Sequence, residues 1–208
     1  MATSREQIMT ALLAKLTGAL QASFTANTDG ATGILTNVSS TANLYIGLPV
    51  FGPGISAGSV INVIGSNTIT LSLNTTASAT GVAFTSGFQT KGRRVLLWSK
   101  VSAFPAIFLR NVSDRYETRD GQPARRTLDA EIWIYSTAGQ NPDLAPGVAL
   151  NNILDAIEAV LAPDNIMVNR QTLGGLVYHC RIDGKVEYDP GDLDGYAKAL
   201  IPVSILVP

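Results

Sequence analysis

The residues able to do chemistry are few in this chain, and most stand in the wrong arrangement for it. The single histidine, His179, is followed directly by the single cysteine, Cys180. A Cys–His nucleophilic pair needs both side chains on one side, whereas neighbours in a strand point to opposite faces. One His and one Cys also fall short of the ligand set of a structural zinc site. Asp189, Asp192 and Asp194 suggest a cation loop. An EF-hand in register with Asp194-Gly195 would need an acid or amide where Pro190 stands and a Glu where Ile201 stands, so the stretch reads as a solvated turn. Gly52-Pro53-Gly54-Ile55-Ser56-Ala57-Gly58 resembles a phosphate loop superficially, but no Gly-Lys-Ser/Thr follows and its neighbours read as strands, which leaves no helix N-terminus for a phosphate. Gly54-Ile55-Ser56-Ala57-Gly58 has the spacing of a Gly-x-Ser-x-Gly elbow, but its neighbours read as strands with no helix to follow the serine, and one His supports a Ser–His–Asp triad weakly. Asp129 and Glu131 are spaced as an acid/base pair, yet an exposed strand face is the ordinary home of such residues. Arg93-Arg94 and Arg125-Arg126 could reach phosphates, but Asp114, Glu117 and Asp120 balance them nearby. Trp98 and Trp133 could stack bases; packing in a core or interface is the simpler use of both. The expectation is a protein that is not an enzyme, with no catalytic residue, cofactor or metal.

The totals point the same way. The chain has 208 residues, 15% of them charged, with a formal net charge of −1. Gripping nucleic acid by counterion release needs clustered Lys and Arg, which this balance does not supply. No apolar run approaches the roughly 18 residues of a membrane-spanning helix. The N-terminus does not read as a signal peptide, and one cysteine allows no intrachain disulfide. The sequons at Asn37, Asn74 and Asn111 are therefore read as chance, and the protein as intracellular and soluble.

The elements that would position these residues centre on 128–161. In Leu128-Asp129-Ala130-Glu131-Ile132-Trp133-Ile134-Tyr135 the residues Ala130, Ile132 and Ile134 fall on one side and Asp129, Glu131, Trp133 and Tyr135 on the other, the period of a strand with one face on a core. From about Pro146 to Leu161 the period becomes helical, with Leu150, Ile153, Leu154, Ile157 and Leu161 on one side and Pro163 as a stop. At the N-terminus two overlapping capping boxes, 3–6 and 4–7, precede a helix with Ile8, Leu12, Leu16 and Leu20 in one row and Gln7, Thr10 and Thr17 opposite. Residues 25–87 hold one charged residue, Asp29, and short apolar runs at 33–38, 44–51, 59–64, 68–73 and 81–85 separated by Gly-, Pro- and Asn-rich turns. They predict a small antiparallel sandwich or barrel. Removing 25–87 joins Phe24 to Phe88 and restores an even charge density, so this segment reads as a domain inserted into a loop of an older fold. Strands are predicted at 94–99 and 104–109, a charged loop or hairpin tip at 114–126, a hairpin of 176–182 with 185–188 about Asp183-Gly184, an acidic loop at 189–195 and a strand at 200–207 covered on both sides. The fold class is α+β: a mixed or antiparallel sheet with two main helices on one face, built from 1–24 and 88–208, plus a small inserted all-β, sandwich-like domain at 25–87.

With these elements in place, 127–139, 150–163 and 171–208 resemble the tail terminator, or tail-completion, proteins of long-tailed bacteriophages. The N-terminal helix and the segments 93–109 extend the likeness to 1–24 and 88–208. It rests on the order of elements and on whole segments, not on a catalytic signature. Residues 25–87 depart from it and instead resemble small β-modules attached to phage virion proteins. The resemblance implies a structural protein of the virion tail and neck, assembled in the bacterial host cytoplasm. It implies a homohexameric ring that caps the tail tube, stops its polymerisation and provides the head–tail joining surface. The implied partners are the tube protein, head–tail connector or neck proteins and genomic DNA sliding through the lumen without specific binding; no membrane is involved. A connector or stopper, or a decoration or adhesin-like protein acting through 25–87, is the alternative. The residues expected at a subunit or tube interface are Arg115, Glu117, Arg119, Asp120, Arg125, Arg126, Glu131, Trp133 and Tyr135. Those expected on an acidic lumen loop are Asp183, Asp189, Asp192 and Asp194.

Overall fold

The computed structural model describes residues 4–18, 20–118, 120–121, 124–137, 147–191 and 195–208. Its first helix, α1 (Arg5–Gly18), begins at the second of the two capping boxes. The Gln7 N–H donates to Ser4 Oγ at 3.2 Å and the Ser4 N–H to Gln7 Oε1 at 2.9 Å, which satisfies two donors that a helix start leaves open. Ile8, Leu12, Leu16 and Leu20 are fully buried, as their spacing predicts. Thr17, expected on the outer side, is buried at the helix end and returns its hydroxyl to Ala14 O.

The chain then builds a first six-stranded sheet from β1 (Ala22–Asp29), β2 (Ile34–Thr36), β3 (Val50–Phe51), β4 (Ile61–Ile64), β5 (Thr68–Leu71) and β6 (Ser78–Ser86), in the order β3-β6-β1-β2-β5-β4. The two ends of that order meet. Val50 N–H donates to Ser59 O, Ile61 N–H to Leu48 O and Gly47 N–H to Ile61 O, at 3.1, 2.9 and 2.7 Å. The sheet therefore closes into a small barrel, which removes its open edges. Leu35, Leu48, Ile61, Ile69 and Phe84 are buried within the core, and Phe24 packs on Phe84. The first and last strands pair from Ala22 opposite Ser86 onward, so chain entry and exit lie side by side.

The second sheet holds β7 (Thr90–Gly92), β8 (Ala106–Glu117), β9 (Arg125–Thr137), β10 (His179–Ile182), β11 (Glu187–Asp189) and β12 (Tyr196–Val207). Its order is β10-β12-β9-β8-β7, antiparallel except for β7 on β8. Between β9 and β10 lies α2 (Val148–Val160). Ala130, Ile132 and Ile134 of β9 and Ile201, Val203 and Ile205 of β12 meet Leu150, Ile153 and Ile157 of α2, while Ile107 and Leu109 of β8 belong to the same core as the α1 row. Each such side chain contributes roughly 1.5–3 kcal/mol before the entropy of ordering is subtracted. The fold is α+β, with both described helices on one face of this sheet.

Two predicted elements are not formed. Residues 94–99 make no strand; Trp98–Lys100 is a short 3-10 turn, and 95–104 lie over the far face of the sheet. The hairpin about Asp183-Gly184 is also absent. Strands β10 and β11 do not pair with each other but follow one another along the same edge of β12, opposite residues 203–206 and 198–200. The cause is Pro202. It accepts from Asp183 N–H but has no N–H to return, so the edge strand is broken there and bulges around Gly184, whose missing side chain leaves room for the Pro202 ring.

Candidate functional site

Period two divides β9 and its neighbours into a helix-side face and an outer face. On the outer face the register sets Phe108, Trp133 and Leu200 in one row, Arg110, Glu131 and Pro202 in the next, and Asp129 with Ser204 beyond. Trp133 is half-buried and donates its Nε1–H to Glu131 Oε2 at 3.0 Å. Arg110 bonds the same carboxylate oxygen at 2.7 Å, and its guanidinium lies 5.9 Å from the Trp133 ring centre. Arg115 meets Asp129 at 3.6 Å. A shallow groove of about 290 Å³ runs beside this row, lined by Trp133, Tyr188, Leu200 and Ala199 and rimmed by Glu187, Asp189 and Lys198.

Several expected site residues stand elsewhere. Tyr135 shares the outer face of β9 but is buried under residues 95–104 with Val101, Ala106 and Phe108, and its hydroxyl donates to Leu96 O at 2.9 Å. Burial raises its pKa. It belongs to a second small core within the chain. Arg126 also turns away from the outer face. Adjacent residues of a strand face oppositely, so Arg125 lies on the outer face and Arg126 on the helix side, where it is mostly buried and approaches Asp114 at 3.6 Å. Arg5 of α1 closes on the same Asp114 and donates to Tyr116 Oη at 2.9 Å. Asp114 and Tyr116 thus join the hairpin to α1.

The two arms of the stretch 114–126 are ladder. Strands β8 and β9 stay paired out to Glu117 opposite Arg125, with Asp120 exposed in the turn. Arg119 lies outside the described residues, as do Asp192, Asp194 and Pro146. Of the proposed lumen acids, Asp183 pairs with Arg181 at 3.0 Å, and Asp189 lies 3.7 Å from Lys198 and accepts from Gly191 N–H. Each carries a cation beside it.

The residues first weighed for catalysis are absorbed by the fold. Cys180 is fully buried and burial pushes its thiol up to about 12, while His179 is half-exposed across the strand and accepts from Gln171 N–H through Nδ1 at 3.3 Å. Gly52-Pro53-Gly54 turns between β3 and β4, and a Cβ on Gly52 would strike the Phe84 ring. Among the described residues no group of three or more His, Cys, Asp or Glu is placed to hold a metal ion, and no helix is long and apolar enough to cross a membrane.

Sequence reasoning passed over the loop after α2. Ile166, Met167 and Val168 are 89%, 97% and 52% exposed. An apolar run too short for a strand, set between Asn165 and Asn169, was the available signal. The loop is firmly framed. Asn165 and Arg170 exchange backbone hydrogen bonds of 2.9 and 3.1 Å, and Asp164 accepts from Thr172 N–H and Oγ1–H and from Gly174 N–H. Gln171, 1% exposed, donates to Val160 O and Ala162 O at the end of α2.

The geometry defines an α+β fold whose prominent surfaces, among the described residues, are apolar and ionic in mixture. No protein-family model matches the chain, and no curated protein sequence matches it.

Proposed function

We propose that the protein is a tail terminator: a structural component of a phage virion that assembles as a ring, hexameric in the family it resembles, on the end of the tail tube. In this reading it stops tube growth and offers a surface to the head connector, and DNA slides through its lumen without sequence-specific contact. The observation that carries the reading is the outer sheet face, where Trp133, Leu200 and Pro202 alternate with Arg110, Glu131 and Asp129. Large aromatics and arginines in a charged surround are the composition of a protein–protein interface. The hairpin tip with Glu117, Asp120 and Arg125 extends that face toward a neighbouring subunit or the tube. Residues 25–87 are an inserted domain, and assembly takes place in the host cytoplasm. Because Asp183 and Asp189 have cations beside them, any strongly acidic character of a lumen loop falls to Asp192 and Asp194.

The test is electron microscopy of purified protein, counting subunits in any ring, followed by its addition to polymerising tube protein. Rings of one size that arrest tube length are expected. Trp133→Ala should abolish rings while the thermal midpoint falls modestly. Binding to the portal side and not to tube ends would make it a connector or stopper. Unaltered tube length together with loss of a surface-binding activity on removing 25–87 would make it a decoration protein.

A further inference from the structure

The exposed loop 165–170 and the groove at Trp133 lie toward opposite ends of α2, too far apart to meet within one chain. The loop leaves the C-terminal end of α2, where Gln171 is bonded to Val160 O and Ala162 O. The groove lies by the opposite end, where a Cβ on Gly147, the N-cap of α2, would sit 3.1 Å from Pro190, next to β11. The 13-residue helix sets these ends ~20 Å apart.

Their chemistries match. The loop presents Ile166, Met167 and Val168 on a hydrogen-bonded frame, so little ordering entropy remains to be lost on docking. The groove offers an apolar floor of Trp133 and Leu200. The charge on the loop is Arg170, exposed and in none of the ion pairs among the described residues. The groove rim carries the exposed carboxylates of Glu187 and Asp189, which Lys185 and Lys198 approach at 3.4 and 3.7 Å and for which Arg170 of another copy can compete. Scattered apolar residues on a surface need no explanation, but three in succession on a rigid loop do.

We propose that loop 165–170 docks into the Trp133–Leu200 groove of a second copy of this chain, with Met167 as the anchor and Arg170 against the Glu187–Asp189 rim. Different patches meet, so the contact is heterologous. It repeats from copy to copy and closes into a ring when the rotation allows. The inference rests on the ring reading and names the surfaces that make the ring.

The experiment uses the full chain and sedimentation over a range of concentrations. Wild type should associate, and Met167→Asp and Leu200→Asp should each weaken association by about thirtyfold or more, the loss typical of an anchor residue. Met167 is exposed, so its variant should keep the wild-type thermal midpoint. A mixture of the two variants retains one intact knob and one intact groove and should give a 1:1 dimer that grows no further. Arg170→Glu should weaken association, and Glu187→Arg in the same chain should restore part of it. Rings that persist in Met167→Asp would overturn the docking while leaving the ring reading standing. A wild type that stays monomeric at every concentration and on tube ends would overturn both. Loss in Met167→Asp without loss in Leu200→Asp, or no dimer in the mixture, would place the knob on another surface and overturn the pairing.

Discussion

Replacing Gln171 by Leu tests how the exposed loop is held to the body. The side chain is 1% exposed and its amide nitrogen donates to Val160 O and Ala162 O, while Oε1 accepts from Leu173 N–H at 3.0 Å. Leucine fills a similar volume but leaves two helix-end carbonyls and one backbone N–H without this partner. An unsatisfied buried group costs about 1–3 kcal/mol, so three would cost ~3–9 kcal/mol if nothing moved. The end of a helix relaxes and admits water, which places the net loss near the low end, about 3 kcal/mol. At roughly 2–4 °C per kcal/mol for a chain of this size, the thermal midpoint should fall by about 6–12 °C. Gln171→Glu keeps the acceptor but loses the donors and places a charge among carbonyls, so it should be at least as damaging. Differential scanning calorimetry measures the midpoint, and hydrogen exchange shows where the loss falls. Amides of Arg170, Thr172, Leu173 and Gly175 should lose protection before those of β9. A midpoint within about 2 °C of wild type would refute the frame, as would uniform loss of protection across both sheets.

Two further predictions concern protonation. Cys180 should resist thiol reagents in the native protein and react only as the chain unfolds, as labelling followed by mass spectrometry would show. Its folded pKa is raised, so the neutral thiol's contribution is complete below the ordinary pKa near ~8.5 and is lost as pH rises past it; rapid native labelling would contradict its burial. Asp29 behaves in the opposite sense. The Thr32 hydroxyl, then the N–H groups of Ala31 and Thr32, hold its carboxyl well below the usual range. Its stabilisation is present above ~4 and is lost as pH falls below that value. The midpoint gap between wild type and Asp29→Asn should therefore narrow from pH 5 to pH 2 in thermal melts, and a gap that stays constant would remove the carboxylate from the explanation.

What the sequence disclosed depended on whether a local pattern was left unopposed. The alternation in β9 and the helical rows of α1 and α2 survive folding because the buried side chains are large and nothing nearby contradicts them. Strand β1 carries little signal because its inward residues are Ala22, Phe24, Ala26 and Thr28, mostly too small to mark a period by hydropathy. The Asp183-Gly184 turn signal is real, but Pro202 lies far along the chain and decides what that turn does. Arg125 and Arg126 looked like one basic pair, whereas strand geometry sends them to different faces. Arg110, which completes the Trp133–Glu131 cluster, carries no local signal; the β8–β9 register alone brings it there.

Reading residues 25–87 as an insertion draws support from one side of the barrel and meets resistance from the other. Ala22 stands directly opposite Ser86, so a shortened chain could pass from one to the other across a strand spacing of roughly 5 Å. Gly87, at φ 151°, makes the adjoining turn against Leu20 O, where a Cβ would crowd it at 3.2 Å. Yet the barrel is not merely tethered. Asn152 of α2 donates to Ile46 O at 3.0 Å, and Gly47 packs so closely on Ala149 that a Cβ would sit 2.6 Å from the Ala149 methyl. Leu44 and Leu48 lie in the same apolar core as the α2 row. Excising the barrel thus uncovers one flank of α2, the helix that seals the β9–β12 face and ends at the loop of Met167. Any loss of assembly on excision would mix a missing partner surface with a loosened helix. Asn152→Ala separates the two, because it loosens the α2 side of the seam while leaving every barrel residue in place.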